Sequence, residues 1–132
     1  MLYTSYFAKG SKGWKDNVIP VAICRYPPKG FNGVHYFKLA PSHKLLMEWK
    51  SDPRNDDYFG TKRKQYDDEV LSKLDPKEVM HELQRLWPYG PPIWEDKYHH
   101  VVLLCYEKPG DFCHRHFVAQ WLTENDFKCE EV

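Results

Sequence analysis

The sequence lacks an excess of either charge. Nineteen lysine and arginine residues balance nineteen aspartate and glutamate residues, so the formal net charge at pH 7 is zero. A chain without net positive charge has no long-range attraction to polyanions, and this argues against bulk binding of nucleic acid. A local basic pocket that binds a small anion is still compatible with the composition.

Long apolar runs are also absent. The longest, VVLLCY at residues 101–106, is far below the roughly 20 residues that span a bilayer. The opening segment, MLYTSYFAKG, has neither the basic start nor the long apolar segment of a signal peptide. We therefore expect a soluble, cytoplasmic protein that is not exported and has no membrane partner.

Cysteine is too scarce for a disulfide framework. The 132 residues include Cys24, Cys105, Cys113 and Cys129, a density that suits free thiols in a reducing cytosol. A chain of this length can bury roughly two thirds of its unfolded surface, so its stability requires neither disulfides nor a structural metal. Since no repeat, low-complexity tract or linker divides the chain, we expect a single domain over residues 1–132.

Strand-like and helix-like segments alternate along the chain. Apolar, β-branched and aromatic runs predict strands at residues 2–8, 18–24, 34–39, 100–106 and 127–132. Helical periodicity and capping residues predict helices at residues 43–50 after Ser42, 65–74, 76–87 after Asp75, and 113–122. Pro20 is expected near the entry of the second strand, since proline removes a ladder bond. The alternation predicts a three-layer α/β domain, in which a small, mostly parallel sheet has helices on both faces.

The stretch CYEKPGDFCHRHFVAQWL, residues 105–122, joins a buried strand to a helix through a Lys-Pro-Gly-Asp turn. Free N–H groups point outward at a helix start, and open α/β sheets bind ligands at the carboxyl ends of their strands. With Asp111 as the N-cap, Cys113 and His114 would lie in the first helical turn, where the helix dipole lowers the pKa of a thiol and favours a bound anion. Arg115 adds a fork of donors suited to phosphate or carboxylate.

Two other interpretations of this stretch are open. A capped helix with an inert core cysteine and a solvated arginine requires no ligand at all. Zinc is the other, because Cys113 and His116 have a ligand-like spacing, and further candidate ligands are nearby in the sequence: Cys105, His99 and His100. Structural zinc sites usually show two paired spacings, and a second pair is missing, so we predict no bound metal and no cofactor.

Five segments resemble one known family. The most specific is LLCYEKPGDFCHRH at residues 103–116, where an apolar strand is followed by Cys-x-Glu and then by Cys-His-Arg at a helix start. The others are YTSYFAK at 3–9, IPVAI at 19–23, KLAPS at 38–42 and EVLSKLDPKEV at 69–79. Together they are similar to the bacterial and phage proteins catalogued as domain of unknown function 488. Most members have Asp-Val-Arg at the end of the second strand, whereas this chain has Ile23-Cys24-Arg25 and keeps only the arginine.

The resemblance implies that one end of the sheet gathers a set of polar side chains. They are Arg25, Cys105, Glu107, Cys113, His114 and Arg115, joined by Ser5 and Tyr6 of the first strand. We predict that they form a pocket for an anionic small molecule, nucleotide-like or with another phosphate or carboxylate group. In a catalytic version Arg25 and Arg115 bind the anion, Glu107 or His114 moves protons, and Cys113 is the nucleophile if its thiolate is exposed.

The alternative is a binding or regulatory protein without catalysis. Such a protein would dock on a host protein or sequester a nucleotide. Its contact surface would be WPYGPPIW at residues 87–94, because exposed Trp and Tyr side chains anchor interfaces. The same segment also fits a loop that packs on the core.

Overall fold

The computed structural model describes residues 2–10, 13–14, 18–51, 58–86, 100–106 and 113–132, without the side chains of residues 58 and 59. Within them, five strands form one sheet in which all neighbouring strands are parallel. They are β1 (Leu2–Tyr6), β2 (Val18–Ala22), β3 (Val34–His35), β4 (His100–Cys105) and β5 (Cys129–Glu131), in the spatial order β3-β2-β4-β1-β5. The predicted α/β class with a parallel sheet is confirmed.

The described residues also form four α-helices. They are α1 (His43–Ser51), α2 (Arg63–Glu69), α3 (Pro76–Gln84) and α4 (Arg115–Glu124). Two helix starts confirm the predicted capping residues. The hydroxyl of Ser42 accepts a hydrogen bond from the backbone N–H of Leu45 at 3.1 Å. Oδ1 of Asp75 accepts one from the N–H of Lys77 at 3.0 Å, and each bond satisfies an N–H group that has no partner inside its own helix.

Pro20 lies in the middle of β2 rather than at its entry, which corrects the prediction. Successive residues of β2 direct their backbone groups to the two neighbouring strands in turn. The carbonyl of Ala22 accepts a hydrogen bond from the N–H of Tyr36, just after β3. Pro20 is two residues before Ala22 and so faces the same neighbour. Because β3 begins only at Val34, opposite Val21, the missing N–H of Pro20 lies outside the ladder between β2 and β3.

Other predicted boundaries shift by a few residues. The strands predicted at residues 2–8 and 34–39 end early, at Tyr6 and His35, because a short 3-10 helix follows each of them. The last helix begins at Arg115, two residues later than predicted. The helix predicted at residues 65–74 is α2 followed by a 3-10 turn.

Strand β4 lies in the middle of the sheet and is buried on both faces. Its residues 101–105 are at most 4% exposed, although successive side chains point to opposite faces. A nearly continuous apolar run is typical of a parallel strand that is covered on both sides. On one face Val101 and Leu103 pack in a core that includes Val79 of α3 and Phe117 of α4.

Among the described residues, every helix is too short or too polar to cross a membrane.

Candidate functional site

The carboxyl ends of β2 and β4 lie side by side where the direction of the chain reverses. From β2 the chain moves to β3 at one edge of the sheet, and from β4 it moves to β5 at the other edge. In open α/β sheets such a reversal leaves a crevice outside the two strand ends, where ligands bind. Here β2 is followed by Ile23 and Cys24, and β4 ends at Cys105, so these residues border the expected ligand site.

His114 bridges the two strand ends. Its Nε2 lies 2.8 Å from the carbonyl oxygen of Ile23, and its Nδ1 lies 3.6 Å from Sγ of Cys105. A carbonyl oxygen only accepts, so Nε2 must carry a hydrogen, and Nδ1 is the ring nitrogen that faces the cysteine. The ring of Tyr66 packs at 5.6 Å from the imidazole, and its own hydroxyl donates to the carbonyl of Leu39. The ring of His114 is therefore fixed in orientation.

Cys105, Cys113 and His114 form a buried group that we call the thiol cluster. The two Sγ atoms and a ring nitrogen of His114 lie within 4.8 Å of one another, and all three residues are at most 4% exposed. Burial by itself raises the pKa of the Cys113 thiol. Hydrogen bonds with Cys105 and His114, together with the charges of His114 and Arg115, outweigh burial and bring that pKa well below its usual value. The structure thus favours a thiolate at Cys113.

Arg115 is fully buried and forms an ion pair with Glu131 of β5. Its Nε lies 3.1 Å from one carboxylate oxygen of Glu131, and its Nη2 lies 2.9 Å from the other, which makes the pair bidentate. The hydroxyl of Thr4 donates to the same carboxylate at 2.7 Å. The guanidinium of Arg115 also lies over the ring of Tyr6, with its carbon 5.8 Å from the ring centre. Its charge acts on Cys113 and is balanced by Glu131.

The structure brings together five of the predicted site residues: Tyr6, Cys105, Cys113, His114 and Arg115. It places Ser5 and Arg25 in other contacts. The hydroxyl of Ser5 donates to the backbone carbonyl of Val132 at 3.1 Å. The guanidinium of Arg25 lies over the rings of Tyr26 and Phe37.

Several predictions concern residues outside the described part of the chain. Glu107, proposed as a proton carrier, lies there. The aromatic segment at residues 87–94 also lies there. The N-cap of the last helix is His114 and not Asp111, so that prediction is wrong, and Cys113 and His114 precede the first helical turn. The third predicted helix ends at Gln84, three residues before its predicted end.

Three groups at the site were missed from the sequence: the carboxylate of Glu131, the ring of Tyr66 and the backbone carbonyl of Ile23. A strand was predicted around residue 131, but its pairing with β1, which sets Glu131 opposite Thr4, could not be read from local sequence. A backbone carbonyl has no signal in a sequence. Ile23 nevertheless occupies the position where the resembling family has aspartate, and here the main chain provides the acceptor for His114.

The thiol cluster contains donor types that bind zinc, namely two sulfurs and an imidazole nitrogen. The 3.6 Å between Cys105 Sγ and His114 Nδ1 also fits two ligands of one tetrahedral ion. Within the described ranges, no fourth Cys, His, Asp or Glu belongs to this group. Structural zinc sites normally have four protein ligands, whereas catalytic ones have three and keep an open position. The expected lack of bound metal therefore stays a prediction.

The fold and the site together define an α/β domain with a buried thiol–imidazole cluster at the carboxyl edge of its sheet. Residues 7–126 match the family described as the active DUF488-N3 subclade, and the chain belongs to this family. The resemblance to domain of unknown function 488 is thereby confirmed. Comparisons with curated proteins and with solved structures gave no match.

Proposed function

We propose that the chain is an enzyme that acts on a small anionic molecule through the thiol of Cys113, with His114 as the group that moves protons. The observation that carries this proposal is the fixed orientation of His114: the carbonyl of Ile23 binds Nε2, and Nδ1 lies 3.6 Å from Sγ of Cys105, in the group that also contains the sulfur of Cys113. A base held in this way beside a thiol is the arrangement that activates cysteine nucleophiles. The description of the family as active also supports catalysis.

The proposed reaction starts with proton transfer from the thiol to Nδ1 of His114, which gives a thiolate and an imidazolium. The sulfur of Cys113 then attacks an electrophilic carbon or phosphorus atom of the substrate. A bond from sulfur to that atom forms, and the bond to the leaving group breaks. The leaving group departs with its electron pair and takes the proton from Nδ1, which restores the neutral ring.

Arg115 has a different role in this proposal from the one expected from the sequence. Its guanidinium is buried and already bound to Glu131, so it stabilises the thiolate of Cys113 rather than the anionic group of a substrate. Arg25 is the better candidate for binding that group, because it is only half-buried and lies at the carboxyl end of β2. Access to sulfur is the critical point, since Cys113 is 2% exposed and the nucleophile role requires contact with a substrate.

Site-resolved alkylation tests both the ionisation and the accessibility of Cys113. Native protein is treated with iodoacetamide over a range of pH, and each cysteine is followed by peptide mass spectrometry. We expect Cys113 to react below pH 7, where an ordinary thiol with a pKa of about 8.5 is mostly protonated. Cys129 is the internal reference, because burial raises its pKa to about 12.

Two histidine variants identify the source of this reactivity. In His114→Gln an amide can still donate to the carbonyl of Ile23, but the titratable ring is lost, so the pH midpoint for Cys113 should rise by about one unit or more. His116→Gln is the matched control, since His116 is half-buried, neighbours the same helix start and lies outside the thiol cluster. If Cys113 reacts no faster than Cys129 at any pH, the catalytic proposal is wrong and a non-catalytic binding protein becomes the better reading.

A further inference from the structure

Three large aromatic side chains on the described surface form one patch, which we call the aromatic rim: Tyr26, Phe37 and Tyr106. They are 55%, 51% and 47% exposed, respectively. The hydroxyl of Tyr106 donates a hydrogen bond to the backbone carbonyl of Tyr26. The guanidinium carbon of Arg25 lies 5.7 Å from the ring centre of Tyr26 and 5.3 Å from that of Phe37. Isolated exposed aromatics are ordinary, but a contiguous patch of them marks a binding surface.

The aromatic rim borders the thiol cluster. Its three members follow the carboxyl ends of β2, β3 and β4, which are neighbours in the sheet. The ring of Phe7 lies 5.0 Å from the ring of Tyr106 and also packs against the group that includes Cys105 and Cys113. The rim and the thiol cluster are therefore parts of the same edge of the sheet, and one small molecule could reach both.

Arg25 gives the rim a positive charge. Its Nε donates to the hydroxyl of Tyr26 at 3.3 Å, and within the described ranges the structure records no acidic partner for it. Arg115, in contrast, is balanced by Glu131. A guanidinium that lies on exposed rings and has no carboxylate partner attracts an anion, and its flat face and the rings attract a planar π system.

We propose that the aromatic rim and Arg25 bind a planar heteroaromatic ring that carries an anionic group, the chemistry of a nucleoside monophosphate. The ring of the ligand stacks on the exposed aromatic faces, and Arg25 binds the anionic group. This ligand rests on the proposed function in one respect, because the molecule bound at the rim is the substrate of the neighbouring thiol cluster. A phosphate without a ring would gain only the contact with Arg25, so the rim selects for the ring.

Calorimetric titration with matched probes tests the selection. The probes are AMP, GMP, CMP and UMP, with ribose 5-phosphate as the compound that has the anionic group and no base. We expect at least one nucleotide to bind about tenfold more tightly than ribose 5-phosphate, the factor that one stacked base provides. Phe37→Leu keeps an apolar side chain without an aromatic face and should remove most of this preference, whereas Phe37→Tyr should keep it. Arg25→Gln should weaken all five phosphates, ribose 5-phosphate included.

The proposal is wrong if no nucleotide binds more tightly than ribose 5-phosphate, or if Phe37→Leu binds the best nucleotide as the wild type does. Alkylation of Cys113 separates this result from the proposed function, because Phe37→Leu leaves the thiol cluster unchanged. A reactive Cys113 without a preference for nucleotides rejects the ring-binding rim and leaves thiol catalysis standing. Ring-dependent binding with an unreactive Cys113 supports the rim and rejects catalysis.

Discussion

Cys113 and Cys129 are both buried near one ion pair, but the pKa values of their thiols are shifted in opposite directions from that of an ordinary cysteine. Cys113 is two residues before Arg115, and Cys129 is two residues before Glu131. The pKa of Cys129 is raised to about 12, first by burial and then by the charges of two neighbouring glutamates. The pKa of Cys113 is lowered, because hydrogen bonds and the charges of His114 and Arg115 outweigh burial. Burial alone therefore does not decide whether a thiol ionises; the neighbouring donors and charges do.

The ion pair between Arg115 and Glu131 connects the two environments. Its positive member lies at the start of α4 beside the thiol cluster, and its negative member lies on β5 at the edge of the sheet. The hydroxyl of Thr4, on β1, donates a hydrogen bond to the carboxylate of Glu131. The positive charge of Arg115 thus favours a thiolate at Cys113, and the negative charge of Glu131 favours a neutral thiol at Cys129. Each variant discussed next changes one of these two environments.

Removal of the negative member should have the largest effect. Glu131→Gln removes the carboxylate that pairs with the buried guanidinium of Arg115. Breaking a fully buried pair costs about 3–5 kcal/mol, and because Glu131 is 29% exposed we expect a smaller loss, about 2–3 kcal/mol in the free energy of unfolding. Chemical denaturation monitored by tryptophan fluorescence measures this change.

Glu130→Gln is the matched control for this variant. Glu130 lies on the same strand and pairs with Lys128, but their side chains are 50% and 70% exposed. Exposed pairs are screened by water, so the control should unfold like the wild type. Equal stability of both variants would show that the charge of Arg115 is compensated by something other than Glu131, and the link between the two thiols would be lost.

The surroundings of Cys113 could be predicted in part from the sequence. The strand–loop–helix from residue 105 to 122 identified Cys105, Cys113 and His114 as neighbours, because a strand end and the next helix start are joined by a short turn. Local sequence carries that kind of proximity. It also carried the capping by Ser42 and Asp75, since each cap involves residues two or three apart.

Long-range partners were beyond the reach of the sequence. The ion pair of Arg115 depends on β5 pairing with β1, and an edge strand of three residues contains no mark of its neighbour. The same limit explains Arg25, which the resemblance to the family implied would lie with Arg115 at one end of the sheet. Its actual contacts, the rings of Tyr26 and Phe37, depend on how the chain turns after β2 and β3.

Because the thiol of Cys129 stays neutral in the folded protein, we expect the free energy of unfolding to fall at alkaline pH. In the unfolded chain Cys129 ionises with a pKa of about 8.5, whereas in the folded protein its thiol stays protonated up to about pH 12. Above pH 8.5 the unfolded state therefore binds fewer protons than the folded state, so the folded protein loses stability as pH rises. Between pH 7.5 and 9.5 this contribution amounts to about 1.4 kcal/mol.

Comparison of the wild type with Cys129→Ala isolates this contribution. The variant lacks the titrating thiol, and the cost of the removed sulfur is the same at both pH values. We expect the wild type to lose about 1.4 kcal/mol more than Cys129→Ala between pH 7.5 and 9.5, measured by urea denaturation. Parallel losses in the two proteins would mean that the folded thiol ionises as readily as the unfolded one, and the contrast with Cys113 would disappear.

The smallest expected effect is the metal content, which should be zero. Zinc would compete with protons for the sulfur of Cys113, and the buried charge of Arg115 acts on that sulfur and repels a dication. Within the described ranges the cluster offers three ligands, one fewer than a closed structural site uses. We therefore expect elemental analysis of purified protein to show no stoichiometric zinc, in the wild type and in Cys113→Ser alike. One zinc per chain in the wild type that disappears in Cys113→Ser would show that a metal, and not His114 and Arg115, stabilises the thiolate. Cys113 would then be a metal ligand, and its contrast with the free thiol of Cys129 would have a different cause.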